Sequence, residues 1–273
     1  MKKILSVLLC AVLLILCGCA ADRKPGTMTI TVFEAGKADA ILIETEAGSV
    51  MIDTGLEENS EELLAQLAER NVSSLQALII SHFDKDHVGG ADDVLDTLAV
   101  SRVYTSYITK SSDDIDEYEA AVQASGLNAV VISGTQKFTL GGAVFEIFGA
   151  SDSYEKDGSN NSSLIVRITY GAKTYLFMGD AQDERITEFL SYGITDTDFL
   201  KVPYHGHTQD TLHDLFDALK PEVSVITNGA SEPSQKEIAE TALLLKESGS
   251  SVYLTSLGTV TIECTPESFT VSQ

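Results

Sequence analysis

The stretch Ser81-His82-Phe83-Asp84-Lys85-Asp86-His87-Val88-Gly89-Gly90 constrains this chain more than any other. It follows Leu75-Gln76-Ala77-Leu78-Ile79-Ile80, an apolar run of strand length, and its Gly pair opens an amphipathic stretch over residues 91–98. Two of the chain's five histidines fall here, interleaved with two aspartates. A loop at a strand end turns alternating side chains to one side. Imidazoles and carboxylates at i, i+2, i+4 and i+5 can then converge on one or two cations. The plainer alternative is an acidic, solvated loop with incidental histidines, and the concentration of ligand-type residues weighs against it.

Around this turn, strand-like and helix-like periods alternate. Residues 27–33, 41–45 and 49–52 read as strands, and 57–70 as a helix with Leu63, Leu64, Leu67 and Ala68 on one face. Asp53 ends the third strand, where it either bonds turn N–H groups or orients a metal-bound imidazole. A strand at 100–107, a helix at 113–124 and strands at 129–132, 137–140 and 143–148 follow. The polar segment 151–159 is expected to be a loop at the site's edge. Strands at 164–168 and 174–178 lead to Gly179-Asp180, and one at 198–202 leads to Pro203-Tyr204-His205-Gly206-His207. Helices at 182–190, 211–219 and 233–247, strands at 223–227 and 252–255, and a hairpin at 259–271 complete a second strand-rich half. No Pro/Ser-rich linker or short repeat divides the halves, so one domain is expected. An open α/β sheet fits the strand-heavy ends less well.

The run His82-Phe83-Asp84-Lys85-Asp86-His87 resembles the HxHxDH motif of the metallo-β-lactamase fold, with Asp84 in place of the second His. Gly36-Lys37-Ala38-Asp39-Ala40 and Ile52-Asp53-Thr54-Gly55 resemble the "GxGDA…IDTG" opening of that family. Asn160-Asn161-Ser162-Ser163, Gly179-Asp180 and Lys201-Val202-Pro203-Tyr204-His205-Gly206 are similar to the "NxS…GD" and "KVxHHGS" patterns. Those patterns mark the branch that contains the extracellular hydrolase domain of DNA-uptake competence channels. The resemblance implies a four-layer αββα sandwich and one or two divalent metal ions, Zn or Mn. It implies His82, Asp84 and bridging Asp180 at a first site, and Asp86, His87, Asp180 and His205 at a second. Asp86 is the expected catalytic carboxylate. Asn161 is a weak further ligand, Asp53 a supporting group, and His207 the reserve for His205. An added carboxylate at Asp84 hardens the first site toward oxygen-preferring cations.

The N-terminus is expected to lie outside that fold. Lys2-Lys3 precede an apolar run over 4–16, and Leu16-Cys17-Gly18-Cys19 resembles a bacterial lipobox. Residues 1–18 are then a signal peptide, 19–26 a lipidated Cys19 with a short tether, and 27–273 the hydrolase domain. Such a chain is extracytoplasmic and held to the cell membrane by its lipid. Only Cys264 would remain beyond Cys19, so no disulfide framework or Cys-based zinc site is available. The net charge of −23 repels long nucleic acid. Metal-assisted hydrolysis of a phosphodiester or related ester is the expected function, on a small-molecule or cell-envelope substrate and with no protein partner implied. The alternative is a non-catalytic binding or regulatory module with an eroded site.

Overall fold

Burial patterns sort the elements into three kinds. Strands such as Ala77–Ile80, Phe199–Lys201 and Val223–Ile226 are buried along their whole length, so both faces of their sheets are covered. Strands such as Thr135–Leu140 and Phe269–Ser272 alternate instead, as edge positions do. Helices such as Ser60–Glu69 and Leu212–Leu219 bury one stripe. The computed structural model describes residues 26–273 apart from 152, 157 and 232, and it arranges these elements as two sheets between two helical layers.

The first half comprises β1 (Met28–Val32), β2 (Ala40–Thr45), β3 (Gly48–Thr54), α1 (Ser60–Glu69), β4 (Ser74–Leu75), β5 (Ala77–Ile80), α2 (Lys85–Val88), α3 (Ala91–Thr97), β6 (Ala99–Val100), β7 (Val103–Thr105), α4 (Asp113–Ala124) and β8 (Ala129–Val131). The second comprises β9 (Thr135–Leu140), β10 (Ala143–Phe148), α5 (Gly158–Asn161), β11 (Ile165–Tyr170), β12 (Lys173–Phe177), α6 (Asp183–Ser191), β13 (Phe199–Lys201), α7 (Leu212–Leu219), β14 (Val223–Ile226), α8 (Gln235–Glu247) and β15 (Ser251–Leu254). Last come β16 (Val260–Cys264) and β17 (Phe269–Ser272).

The sheets run β17-β16-β1-β2-β3-β5-β7-β8 and β15-β14-β13-β12-β11-β10-β9, with β4 and β6 as a small separate pair. Each sheet repeats one scheme. An antiparallel triplet, β1-β2-β3 or β10-β11-β12, leads into parallel strands, β5-β7-β8 or β13-β14-β15. The C-terminal hairpin departs from the expectation that it completes the second half. It joins the first sheet, where Cys264 pairs with Met28 and Val260 with Val32. There it covers the free edge of β1 and adds Val260, Ile262 and Cys264 to the core between the sheets.

Ile30, Ile43, Ile79, Phe145, Val166 and Phe199 are among the side chains filling that inner layer. Leu63, Leu67, Val94 and Tyr118 seat α1, α3 and α4 on the first sheet, and Ile186, Phe189, Leu215, Phe216 and Leu245 seat α6, α7 and α8 on the second. Each such side chain contributes about 1.5–3 kcal/mol by leaving water.

The parallel strands of both sheets end at one pole, the usual ligand-binding end of α/β sheets. There β3, β5 and β7 deliver Asp53, His82 and Ser106, while β12, β13 and β14 deliver Asp180, His205 and Thr227. Turns after β9 and β11 form the opposite pole, where Gly141 abuts Thr45 and Gly171 abuts Pro266. Gly26 enters at that opposite pole, its N–H bonded to Glu46. The signal segment and Cys19 lie outside the described residues. Among the described residues, no helix is long and apolar enough to cross a membrane.

Candidate metal centre

Two strained turns aim the central side chains. Asp53, the penultimate residue of β3, has φ 55°, and Tyr204-His205-Gly206 after β13 has φ 48°, 49° and 79° in succession. A left-handed L-residue costs about 1–2 kcal/mol, so these conformations persist only where surrounding bonds enforce them. For Asp53 the enforcing bonds come from Ser81, whose N–H and Oγ–H both donate to its carboxylate at 2.6 Å. For the second turn, the Tyr204 N–H donates to Gly179 O at 3.2 Å. His205 Nδ1 lies 3.0 Å from Thr227 O.

These contacts fix imidazole tautomers. Thr227 O can only accept, so His205 Nδ1 carries the proton and Nε2 is bare. Nδ1 of His87 donates to Asp53 Oδ2 at 2.8 Å, which leaves its Nε2 bare as well. Both bare nitrogens point at carboxylate oxygens. His87 Nε2 is 3.2 Å from Asp180 Oδ1, and His205 Nε2 is 3.2 Å from Asp180 Oδ2 and 3.4 Å from Asp86 Oδ2. Lone pairs face lone pairs, and His82 Nε2, His87 Nε2, His205 Nε2 and Asp180 Oδ1 are all buried without a hydrogen-bond partner. Protons or a cation must fill such a gap. Ligand atoms about 2.0–2.2 Å from a tetrahedral ion lie roughly 3.4 Å from one another, which is the spacing seen here. Asp86, His87, Asp180 and His205 thus form a set whose ligand atoms lie within 4.8 Å of each other. The donor set fits a divalent metal ion.

Without a metal, protons on these imidazoles offset the facing carboxylates. Burial alone would raise the Asp180 carboxyl, but His205 and His87 hold it well below the usual carboxylate range. Burial likewise opposes ionisation of Asp86, and the neighbouring His205 and His87, once protonated, outweigh it. Burial would depress the His87 imidazolium, yet Asp180 and Asp53 raise its pKa well above 6.5. Asp180 does the same for His205.

His82 and Asp84 sit beside the convergent set rather than in it. His82 packs against His87 with ring centroids 4.1 Å apart, and its Nδ1 is 3.2 Å from Ser81 Oγ. Asp84 binds Lys110 Nζ at 2.5 Å and accepts a hydrogen bond from Ser159 Oγ. The structure does not bring Asn161 to the cluster. Its Oδ1 instead accepts from the N–H groups of Gln182 and Arg185, both at 3.1 Å, because the open end of α6 needs an acceptor. His207 also turns away, toward Glu237 at 3.1 Å and the Tyr204 ring.

Several site residues had no assigned role in the sequence. Asp39 lies beneath both imidazoles, 3.9 Å from His87 Nδ1 and 3.7 Å from His205 Nδ1, and it is paired with fully buried Lys201. A lysine inside the apolar run Phe199-Leu200-Lys201-Val202 was the available signal, since a buried ammonium requires a carboxylate partner. Thr227 Oγ1 donates to Asp39 Oδ1 at 2.7 Å. Ser163 links the halves, with its Oγ 3.0 Å from Asp180 N and 3.4 Å from His82 Nδ1. Buried Arg185 braces this region by donating to Ser163 O and Phe148 O.

Comparison with known proteins bears on this arrangement. A family model described as Metallo-beta-lactamase superfamily matches residues 34–229. The chain is 24% identical to ComE operon protein 3 of Bacillus subtilis (strain 168) over 224 residues, covering 73% of this chain and 28% of that protein. It is 24% identical to Recombination protein 2 of Haemophilus influenzae over 216 residues, covering 77% of this chain and 25% of that one. The chain therefore spans about a quarter of the length of these curated relatives. Among solved structures, the metallo-beta-lactamase fold protein YhfI of Bacillus subtilis superposes with a TM-score of 0.58 at 14% identity, covering 87% of this chain and 100% of that one.

Proposed function

Because the chain belongs to the metallo-beta-lactamase superfamily, we propose that it is a metal-dependent hydrolase of a phosphodiester or related ester. One observation carries this reading: bare nitrogens of His87 and His205 and oxygens of Asp86 and Asp180 converge at one pole, with buried atoms left unpaired. A bound divalent ion supplies a Lewis acid that acidifies water and polarises the scissile group. The side chains supply the rest. Asp53 and Thr227 hold the imidazoles in the tautomer that presents Nε2. Asp86 is the most open of the four, at 14% side-chain exposure. As an anion it accepts a hydrogen bond from the attacking water and turns that water's lone pair toward substrate. Lys37 Nζ, 3.4 Å from Asp86 Oδ2, brings a cation to the mouth of the site that complements an anionic ester.

Relatives named for recombination and competence support a phosphodiester. The net charge of −23 opposes long polyanions, so the proposed substrate is a small nucleotide or a phosphorylated envelope component. The apolar run before Gly18-Cys19 supports an extracytoplasmic, lipid-held location. A second reading, a binding or regulatory module, draws on the pairing of Asp84 with Lys110.

Elemental analysis joined to a panel of aryl phosphodiester, phosphomonoester and β-lactam substrates tests the proposal. Loaded protein should cleave the diester, and Asp86→Ala should lose about 10²-fold or more. Metal-loaded protein that turns over none of the three would leave the binding module standing.

A further inference from the structure

Asp84 occupies the loop position at which a second cation would be expected, yet its surroundings differ from those of Asp86. One of its oxygens, Oδ1, already carries a cation: Lys110 Nζ lies 2.5 Å away, and the Ser159 hydroxyl donates to the same atom. Only Oδ2 turns toward His82 Nε2, at 3.8 Å. Among the described residues, no set of three His, Cys, Asp or Glu ligand atoms within 4.8 Å of one another includes His82 or Asp84. Structural and catalytic sites for divalent ions ordinarily draw three or more ligands from the protein. An ion bound through Oδ2 would also face the Lys110 ammonium across one carboxylate. Lys110 comes from the loop before α4 and Ser159 from α5, so the cradle around Asp84 is built from outside the metal loop.

We propose that this chain holds one divalent ion rather than two, at Asp86, His87, Asp180 and His205, and that the Lys110 ammonium on Asp84 takes the place of a second. The inference rests on the metal-centre reading above and narrows it. The pole then carries one divalent charge at the cluster and one monovalent charge at Asp84. Lys110 has 42% side-chain exposure, so it can be replaced without opening the core.

The test is metal stoichiometry, measured on the full chain stripped with chelator, loaded with excess Mn²⁺ or Zn²⁺, desalted and analysed by mass spectrometry, with calorimetric titration in parallel. Wild type should retain one ion per chain, Lys110→Arg one, and Lys110→Met two, the second more weakly held. His205→Ala should retain none. Two ions in the wild type would overturn the proposal, and so would one ion in a Lys110→Met protein with a wild-type circular dichroism melt. If Lys110→Met fails to fold, Lys110→Gln decides instead: it should hold two ions, and a folded Lys110→Gln protein that holds one would overturn the proposal. A wild type that binds none would instead sink the metal-centre reading itself, with the role of Lys110 falling as its consequence.

Discussion

Asp53 shows how much one carboxylate can be asked to do. It accepts from Ser81 twice and from His87 once, on a left-handed backbone that Asn tolerates as well as Asp does. Asp53→Asn therefore isolates the hydrogen bonds from the backbone strain. Metal affinity should fall about 10–100-fold with little change in fold, read by competition against a chelating dye. Unchanged affinity would remove Asp53 from the role of orienting His87. The pH dependence follows from the imidazoles. His87 and His205 have pKa values raised above 6.5, so their contribution to stability is complete below about that pH and is lost as pH climbs through the folded values. Asp86 and Asp180 are depressed below 3.8, so theirs is present above that value and is lost as pH falls through the folded values. Metal-free protein should thus be most stable between about pH 4 and 6.5 and lose stability on the alkaline side. Bound Mn²⁺ or Zn²⁺ should flatten or reverse that decline, because the ion replaces protons. Thermal melts of chelated and loaded protein from pH 4 to 9 check this, and a chelated protein that gains stability through pH 7–8 would contradict it.

At the scale of elements, the turns after the strands do more than the strands themselves. Gly206 has φ 79°, and a Cβ there would lie 2.9 Å from Ile226 Cγ2. Gly206→Ala should cost about 1–2 kcal/mol from backbone strain alone and displace His205. Denaturant unfolding and retained metal report the two effects separately, and a variant with wild-type values for both would show that the turn is more compliant than this geometry implies. Most strands and helices were legible in the sequence because their apolar periods are regular. The resemblance carried by residues 82–87 pointed to the family directly. The Tyr204-His205 backbone was not legible, since left-handed non-glycine residues leave no compositional mark. Asn161 was legible as a polar residue near the site, but only the position of α6 shows that its amide serves a helix end. Asp39 and Lys201 meet across the whole fold, and Lys110 reaches Asp84 from a loop whose path no local pattern specifies.

For the whole molecule, the cluster joins halves that also meet through apolar packing and through polar links such as those of Asp39 with Lys201 and Ser159 with Asp84. Asp86 and His87 come from the first half and Asp180 and His205 from the second, so metal binding and docking of the two sheets share one free energy. The poles carry a further implication. Gly26 enters beside Glu46, at the end of the sandwich away from the cluster, with strands of five to seven residues between them. At about 3.3 Å per residue that separation is roughly 20 Å. A bulky domain fused ahead of Gly26 should leave metal content and hydrolysis unchanged, and a large loss of either would show that the two ends communicate. If the preceding residues hold the body to a membrane, the cluster looks outward from it. Lipids of that same membrane would then lie behind the body, away from the cluster, which would meet instead the solutes that arrive by diffusion from the far side.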